Sequence, residues 1–269
     1  MSPVVSAPPV AATPAPALAA VAGPPVARRG RLRAPVELEV VIPAYNESAR
    51  LPETLRHSVA YLNERPWQSR IVVVDNGSVD ETATDARVAA VATDKVDVVV
   101  IGCSRAGKGA AVRRGLLTST SPLIGFYDAD LATPLETLAP TVEALQSGAD
   151  AVIASRHVPG ASIVVPQPLR RRAGGDAFRL LTRKLVPGVA DTQCGFKFFR
   201  RESVQTAIAR VRTTGFAFDV ELLAHVQRAG GKIVELPVAW TDAAGSTFHP
   251  IRDGLASFRA VFDLRGSAQ

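Results

Sequence analysis

The chain has 269 residues, 47% of them hydrophobic and 21% charged, which is typical of a folded globular protein with one large domain or two small ones. Its net charge is +6, but four of the positive charges are arginines within the first 36 residues, so the rest carries a net charge of only +2. This small excess argues against a nucleic-acid-binding protein. No apolar run reaches the roughly 18 residues of a membrane-spanning helix, so no membrane span is expected.

The first 36 residues, MSPVVSAPPVAATPAPALAAVAGPPVARRGRLRAPV, are rich in alanine, proline and valine and contain no acidic residue. Frequent prolines prevent a continuous helix, and no basic residue precedes the apolar part, so we expect neither a membrane anchor nor a signal peptide. We expect a disordered tail that ends in a short basic patch. This patch is either a solvated linker or a contact to an anionic membrane surface.

From residue 37 onwards, strand-like and helix-like segments alternate. The predicted strands are ELEVVIPAY, SRIVVVD, DVVVIGC and PLIGFYDAD, and the helices between them are ESARLPETLRHSVAYLNERP, ETATDARVAAVA and GKGAAVRRGLLTST. Such alternation predicts right-handed crossovers and an α/β fold, a mostly parallel sheet flanked by helices.

The second half of the chain is less regular. A helix (LETLAPTVEALQSG) and a strand (DAVIASR) precede an irregular basic region, 157–176. We then predict a helix (FRLLTRKLV), a loop (PGVADTQCGFKFFRRE) and a further helix. The last predicted elements are a loop that opens into a helix (GFAFDVELLAHVQRAGG), a strand (KIVELPVAW) and a short helix (SFRAVFDLR). The three phenylalanines of GFKFF belong either to the core or to a hydrophobic lip for a lipid chain.

Polar residues follow each of the first four predicted strands. In parallel sheets, ligands bind outside the carboxyl ends of the strands, so these residues predict one binding site at that edge. They are Asn46 and Glu47 after the first strand, Asp75 to Ser78 after the second, Ser104 and Arg105 after the third, and Asp128 and Asp130 after the fourth.

Asp128 and Asp130 are two residues apart at the end of an apolar strand. If the strand breaks there, both carboxylates face one space, and carboxylates beside a phosphate are the usual ligands of Mg²⁺ or Mn²⁺. The alternative is a pair of aspartates that cap a turn. A D-x-D pattern by itself does not separate the two.

Asp75 ends the IVVVD strand and precedes Asn76 and Gly77. It is interpreted either as an acceptor for the donors of a nucleotide base or ribose, or as part of an Asx turn. The segment SRAGKGAAVRRG matches neither the Walker nor the dinucleotide-binding glycine pattern. The free N–H groups at its helix start, with Lys108, either hold a diphosphate or form a plain helix cap.

The two cysteines, Cys103 and Cys194, form neither a metal-ligand pattern nor a disulfide framework, which favours a reducing, cytosolic compartment. The four histidines show no metal-ligand spacing either.

Six segments occur in order: VVIPAYNE, VVVDNGSVDET, GKGAAVRRG, YDADLATP, ASR and DTQCGFKFF. Together they resemble family 2 glycosyltransferases of the GT-A fold, and most of all the dolichyl-phosphate β-glucosyltransferases and bacterial polyprenyl-phosphate glycosyltransferases. The resemblance covers about residues 38–242. It implies one GT-A domain at 37–245, between a tail at 1–36 and a terminal helix and tail at 246–269.

The resemblance also implies roles for individual residues. Pro43, Ala44, Tyr45 and Glu47 line the nucleotide pocket, and Asp75, next to Asn76 and Gly77, binds the base or ribose. Asp128 contacts the ribose or the metal, Ala129 next to it lines the nucleotide pocket, and Asp130 is the metal ligand. Arg156 meets the acceptor phosphate, assisted by the arginines at 170–172. Mannosyl relatives have a further metal ligand where this chain has Ala132, and the form DADLAT favours a glucosyl donor.

Asp219 in FAFDVEL matches the carboxylate that the family uses as catalytic base. Glu221 faces elsewhere if both residues are helical. The helix start is expected to lower the pKa of Asp219, which makes it a poor base. A phosphate acceptor is already an anion near pH 7, so Asp219 either deprotonates a hydroxyl acceptor or orients a phosphate acceptor.

These observations predict a metal-dependent inverting transferase that moves glucose from UDP-glucose onto a polyprenyl phosphate. A GDP-mannose donor, a soluble hydroxyl acceptor and a non-catalytic sugar-nucleotide binder are the alternatives. The expected location is the cytoplasm, either free or peripherally bound at the cytoplasmic face of a membrane.

Overall fold

The architecture is a mixed seven-stranded sheet with helices on both faces. It is seen in a computed structural model that describes residues 34–90, 92–164, 169–241, 257–262 and 264, without the side chains of 169–174 and 176. The elements up to the fourth strand are β1 (Leu38–Ala44), α1 (Leu51–Asn63), β2 (Ser69–Asp75), α2 (Thr82–Ala89), β3 (Val96–Gly102), α3 (Lys108–Thr118) and β4 (Leu123–Tyr127). The later ones are α4 (Leu138–Gln146), β5 (Ala151–Ser155), β6 (Ser162–Ile163), α5 (Leu169–Thr182), β7 (Phe196–Arg200), α6 (Arg201–Arg210), α7 (Phe218–Arg228), β8 (Ile233–Pro237) and β9 (Ala239–Trp240), and residues 257–262 are also helical.

The strand order of the large sheet is β3-β2-β1-β4-β7-β5-β8. Every neighbouring pair is parallel except those of β7, which lies antiparallel between β4 and β5. This arrangement confirms the predicted mostly parallel sheet flanked by helices. The carboxyl ends of β1 to β4 therefore meet at one edge, where the polar residues lie.

Two hydrophobic clusters, one on each face, hold the helices to the sheet. One cluster joins the strands to α1, α2 and α4, and the other joins them to α3, α5, α6 and α7. The strands carry the β-branched residues that suit a sheet buried on both faces. In α1, the predicted helical spacing places Leu51, Leu55 and Leu62 on the buried side, and Pro52 occupies the first turn, where proline is tolerated.

The predicted loop at 187–202 is wrong in its centre, because Phe196–Arg200 forms β7 in the middle of the sheet. The three phenylalanines of GFKFF are fully buried, so they belong to the core rather than to a lipid-facing lip. The lysine among them, Lys197, is fully buried too. A charged residue within a five-residue run concealed the strand from pattern analysis.

Two other boundaries differ from prediction. Helix α5 begins at Leu169, within the region predicted to be irregular, because the tertiary packing of residues such as Phe178 outweighs the low helix propensity of its two glycines. The last predicted strand is divided into β8 and β9, and β9 leaves the large sheet to pair with β6. Residues 1–33 of the tail predicted at 1–36, and residues 242–256, lie outside the described residues.

Gly125 in β4 shows how closely the central strands pack. A Cβ atom added there would lie 2.2 Å from Cδ1 of Phe198 and 2.5 Å from the carbonyl oxygen of Lys197, both on β7. We expect Gly125→Ala to lower the free energy of unfolding by about 1–3 kcal/mol, since overpacked cores shift or strain. Urea unfolding against Gly175→Ala, whose new Cβ meets open space in α5, tests this. Equal midpoints for the two variants would contradict it.

In the part of the chain that the structure describes, no helix is both long and apolar enough to cross a membrane.

Candidate active site

The loops after β1, β2 and β3 are tied to one another by side-chain hydrogen bonds. The backbone N–H of Asn46 donates to Oγ of Ser78 at 3.0 Å, and the N–H of Asn76 donates to the carbonyl oxygen of Ala44 at 2.8 Å. The side-chain amide of Asn76 donates to the carbonyl oxygen of Arg105 at 2.8 Å and accepts from the N–H of Gly107 at 2.7 Å. Asn76 therefore connects the β2 loop to the start of α3.

Of the predicted nucleotide-binding residues, Pro43 and Ala44 end β1, and Tyr45 and Glu47 follow in the same loop. Asp75 ends β2, and its Oδ1 accepts the N–H of Ser78 at 3.2 Å, so the Asx-turn interpretation describes part of its role. The other carboxylate oxygen of Asp75, Oδ2, can accept a hydrogen bond from a ligand.

A cleft of about 660 Å³ lies beside these loops. Its lining residues are Asp75, Gly77, Gly102, Cys103, Ser104, Arg105, Ala110, Arg113, Arg114, Leu117, Thr118, Arg212, Thr213 and Thr214. The size suits a small molecule. Asp75 and Gly77, both predicted at the nucleotide, are among its lining residues.

The strand breaks directly after β4, as the metal-site interpretation requires. The N–H of Asp128 donates to the carbonyl oxygen of Gly195 at 3.0 Å, and the carbonyl oxygen of Ala129 accepts from Oγ1 of Thr54 at 2.5 Å. Leu131 takes a left-handed conformation with φ of 49°, and Oδ1 of Asp130 accepts the N–H of Ala132 at 3.0 Å. This turn directs both carboxylates to the carboxyl edge of the sheet.

Three carboxylates, those of Glu47, Asp128 and Asp130, lie close enough for their charges to interact. Burial and the neighbouring Asp128 raise the pKa of Asp130, and burial raises the pKa of Glu47 although Arg50 pairs with it. Anionic groups gathered in this way are stabilised by an added cation.

The residues at this turn fit a divalent metal that also binds a diphosphate. The second carboxylate oxygen of Asp130 has no protein partner among the described residues. Those same residues include no group of three or more His, Cys, Asp or Glu side chains arranged to hold a metal ion. Mg²⁺ is commonly held by one or two carboxylates, with phosphate oxygens and water as the other ligands.

Lys108, the first residue of α3, lies 2.6 Å from Oδ1 of Asp128. Burial lowers the pKa of Lys108, but Asp128 and Asp219 outweigh it and raise the pKa above its ordinary value. The ammonium group is therefore charged at neutral pH. Gly107, in front of it, has φ of 113°, a conformation that glycine adopts without strain.

Asp219 lies in the first turn of α7 with only 2% of its surface exposed, and its Oδ1 is 2.7 Å from Nζ of Lys197. The expected lowering of its pKa by the helix start is wrong. Burial raises the pKa of Asp219, and the nearby lysines oppose this rise only in part. Desolvation outweighs the helix dipole because the carboxylate is enclosed on all sides.

Glu221 faces a different direction from Asp219. Its carboxylate accepts the N–H groups of Arg212 and Thr213 at 3.0 and 2.8 Å and so closes the loop before α7.

Arg156, which follows β5, forms a bidentate ion pair with Asp191. Its Nε and Nη2 donate to the two carboxylate oxygens at 2.7 and 2.9 Å, and the guanidinium lies 5.3 Å from the ring centroid of Trp240. Arg156 strongly lowers the pKa of Asp191 despite burial of that carboxyl group. The backbone N–H groups of Gln193 and Cys194 also donate to Asp191, each at 3.1 Å.

Sequence reasoning missed five residues that shape the site. Asp191 and Lys197 belong to the motif DTQCGFKFF, but the sequence did not indicate which residues they contact. The others are Arg50, which pairs with Glu47; Gly195, whose backbone contacts Asp128; and Glu235, which accepts the N–H groups of Ala190 and Asp191.

Gly195 lies against the first metal-site carboxylate. A Cβ atom added to it would lie 1.9 Å from Oδ2 of Asp128. No residue with a side chain fits this position unless Asp128 moves. The glycine of DTQCGF therefore sets the position of the turn after β4.

The two cysteines differ in accessibility. Cys194 is fully buried, and burial together with Asp191 raises the pKa of its thiol to about 11, whereas Cys103 is partly exposed. Because the thiolate is the reactive form, we expect a disulfide reagent to modify Cys103 in the native protein and Cys194 only after unfolding. Thiol titration with and without denaturant, followed by peptide mapping, measures this. Rapid native labelling of Cys194 would contradict the buried position.

The family model described as Glycosyl transferase family 2 matches residues 39–207, which include the ends of β1 to β5. The chain belongs to glycosyl transferase family 2. It is 34% identical over 247 residues to dolichyl-phosphate β-glucosyltransferase of Homo sapiens, across 85% of this chain and 75% of that protein. It is 31% identical over 245 residues to the Dictyostelium discoideum protein of the same name, across 86% of this chain and 74% of that protein.

Among solved structures, glucosyl-3-phosphoglycerate synthase from Mycobacterium tuberculosis, in complex with Mn²⁺ and UDP-glucose, has a TM-score of 0.61 and 20% identity. The alignment covers 84% of this chain and 79% of that chain. At this identity the likeness shows a shared fold, and it confirms the expected GT-A-type sheet. As a member of family 2, the protein is a glycosyltransferase. The family model does not cover Asp219, which lies outside residues 39–207.

Proposed function

We propose that this family 2 enzyme transfers glucose from UDP-glucose onto a polyprenyl phosphate such as dolichyl phosphate, with inversion at the anomeric carbon. One observation carries the proposal: relatives named dolichyl-phosphate β-glucosyltransferase are 31–34% identical over most of the chain. The name of these relatives specifies glucose as the sugar, dolichyl phosphate as the acceptor and a β linkage in the product. The carboxylates and cations at the carboxyl edge of the sheet supply a site suited to a sugar nucleotide.

In this proposal Asp130 and Asp128 hold Mg²⁺ or Mn²⁺. When bound, the metal would neutralise negative charge on the departing diphosphate. The likeness to a structure that contains Mn²⁺ and UDP-glucose supports this choice of metal, as does the oxygen of Asp130 that has no protein partner in the described part of the chain.

The nucleotide occupies the ends of β1 and β2. Asp75 accepts hydrogen bonds from the base or ribose, and Lys108 contacts the diphosphate from the start of α3. The remaining residues of the nucleotide pocket are Pro43, Ala44, Tyr45, Glu47, Asn76, Gly77 and Ala129. Asn76 contributes through the loop that it holds, because its side chain already binds the backbone around α3.

The acceptor phosphate lies against Arg156. Asp191 binds the Nε and Nη2 edge of the guanidinium, and Nη1 has no hydrogen-bond partner among the described residues, so in this proposal Nη1 binds the acceptor phosphate. A phosphate oxygen attacks the anomeric carbon, the bond from that carbon to the diphosphate oxygen breaks, and the nucleoside diphosphate leaves as the anion. The attacking phosphate is already ionised, so no base is required. Asp219 is enclosed and paired with Lys197, so in this proposal it acts on neighbouring protein groups rather than on the acceptor itself.

We further propose that the protein works peripherally at the cytoplasmic face of a membrane, with residues 37–245 as the catalytic domain. The arginines at positions 28, 29, 31 and 33 would contribute about 1 kcal/mol each at an anionic surface. Sedimentation with phosphatidylserine vesicles tests this. We expect the wild type to bind at low salt and a variant with all four arginines changed to glutamine to bind at least tenfold more weakly. Equal binding would contradict a role for these arginines.

A donor and acceptor panel tests the proposed reaction. Purified protein with Mn²⁺ is mixed with UDP-glucose, UDP-galactose, UDP-GlcNAc or GDP-mannose, with and without a short polyprenyl phosphate. Release of nucleoside diphosphate is measured. We expect release from UDP-glucose only in the presence of the lipid.

Other outcomes identify the alternatives. Lipid-dependent release from GDP-mannose would change the donor, and release with a soluble alcohol but not with the lipid would change the acceptor. Tight binding of a sugar nucleotide without release under any condition would indicate a binding protein and would contradict the proposal. Asp130→Asn serves as the inactive control.

A further inference from the structure

Lys197 occupies an unusual position for a charged residue. It lies in β7, in register with Phe126 on one neighbouring strand and Ile153 on the other, and it is fully buried. Removing an ammonium group from water is strongly unfavourable, and well-packed apolar residues often serve stability as well or better than a buried ion pair. An apolar side chain would suit this position in the sheet, so the retained charge points to a role beyond packing.

The ammonium group of Lys197 has fixed partners. It lies 2.7 Å from Oδ1 of Asp219, donates to the carbonyl oxygen of Cys194 at 2.5 Å and lies 5.6 Å from the ring centroid of Phe126. These contacts come from α7, from the turn before β7 and from β4. Lys197 therefore connects the helix that carries Asp219 to the strand that leads into Asp128.

Charges of alternating sign continue from Lys197 to the edge of the sheet. Asp219 is close enough to Lys108 for their charges to interact, and Lys108 lies 2.6 Å from Oδ1 of Asp128. Lys108 thus interacts with the carboxylates of both Asp128 and Asp219. Loss of either carboxylate would remove one of the charges that hold its ammonium group.

We propose that Lys197 is a positioning residue for the donor diphosphate: it fixes Asp219, and Asp219 with Asp128 holds the ammonium of Lys108 toward the phosphates. This inference rests on the proposed function, because it takes the ligand of Lys108 to be a nucleoside diphosphate. Lys197 itself touches neither substrate nor metal. Its effect reaches the site through Asp219 and Lys108.

Nucleotide binding separates this role from a purely structural one. The dissociation constants of UDP and UMP are measured by calorimetry in the presence of Mn²⁺, for the wild type and for Lys197→Met. We expect the Kd of UDP to rise about tenfold, the size of one weakened charge-assisted hydrogen bond, and the Kd of UMP to change less than about twofold. UMP keeps the base and ribose contacts near Asp75, which is why general damage to the site would weaken both ligands.

A double-mutant cycle tests whether the effect passes through Lys108. Lys108→Met is expected to weaken UDP binding by itself, and Lys197→Met is expected to add little in the Lys108→Met background. Fully additive effects of the two substitutions would overturn the proposal. Lys232→Met, which removes an exposed lysine before β8, is the matched control and should leave both dissociation constants unchanged.

If Lys197→Met fails to fold, a double variant that removes both charges of the buried ion pair is measured instead. In Lys197→Met/Asp219→Asn no buried charge is left unpaired, and we expect this variant to fold and to show the same selective loss of UDP affinity. Wild-type affinity for UDP in this variant, or equal losses for UDP and UMP, would overturn the positioning role. A wild type that binds neither UDP nor GDP would instead overturn the proposed function.

Discussion

Replacing Asp130 with asparagine or alanine is expected to lower kcat/KM by at least about 10³-fold, since a bound metal supplies several kcal/mol of charge stabilisation and each 1.36 kcal/mol is tenfold in rate. Asp130 lies at the break after β4, where one of its oxygens accepts the N–H of Ala132 and the other has no protein partner within the described ranges. Asparagine keeps the size of the side chain but removes its negative charge. Steady-state release of nucleoside diphosphate at several Mn²⁺ concentrations measures the effect.

The structure offers a control for this substitution on the far surface. Glu202 in α6 is exposed and pairs with Arg200, the last residue of β7, so Glu202→Gln changes the net charge equally without approaching the site. We expect Glu202→Gln to retain wild-type kcat/KM. Nearly full activity of a well-folded Asp130→Asn protein at limiting Mn²⁺ would show that Asp130 is not a metal ligand.

Gly195→Ala is expected to lower kcat by about 10²-fold without preventing folding. Its added Cβ would lie 1.9 Å from Oδ2 of Asp128, so the carboxylate must move, and a displacement of about 1 Å at a reacting centre can reduce the rate by that factor. The shift also disturbs the ion pair between Asp128 and Lys108. Turnover rates with saturating donor, together with the temperature of unfolding, measure the two consequences separately.

Gly175→Ala is the matched control for this substitution, because its Cβ points into open space on α5. We expect full activity and, as for alanine in place of glycine within a helix, a gain of about 0.5–1 kcal/mol in stability. If Gly195→Ala and Gly175→Ala had the same kcat, the close contact between Gly195 and Asp128 would have no importance for turnover.

Much of the parallel half of the sheet could be predicted from local patterns. The β-branched runs of β1 to β4 and the apolar spacing of α1 are properties of short segments, and the burial of both sheet faces follows from them. Because strand ends of a parallel sheet meet at one edge, the same patterns predicted that Asp75, Asp128 and Asp130 lie at one edge. In the folded chain, hydrogen bonds and an ion pair link the loops at this edge.

The antiparallel strand β7 could not be predicted in this way. Its segment is five residues long, and Lys197 interrupts its apolar run, so local periodicity indicated a loop. Its place between β4 and β5 depends on pairing with residues far away in the chain. The position of a short strand in a sheet is a long-range property, and no nearby residue encodes it.

Asp219 illustrates a second limit of the sequence. The position at a helix start indicated a lowered pKa, whereas enclosure by the surrounding elements raises it. Arg156 is similar, because the sequence marked it as a phosphate ligand but not as the partner of Asp191. In both residues the electrostatic environment is made by groups from other elements, which only the folded arrangement brings near.

The sequence by itself determined the α/β class, the resemblance to a glycosyltransferase family and the edge of the sheet that carries the site, because these depend on local periodicity and on residue types at strand ends. Only the tertiary structure decided how those residues act on one another. Asp128 rests against Gly195 and pairs with Lys108, and Asp219 is enclosed with Lys197. These contacts join segments distant in the chain, and electrostatic interactions act through space rather than along the sequence.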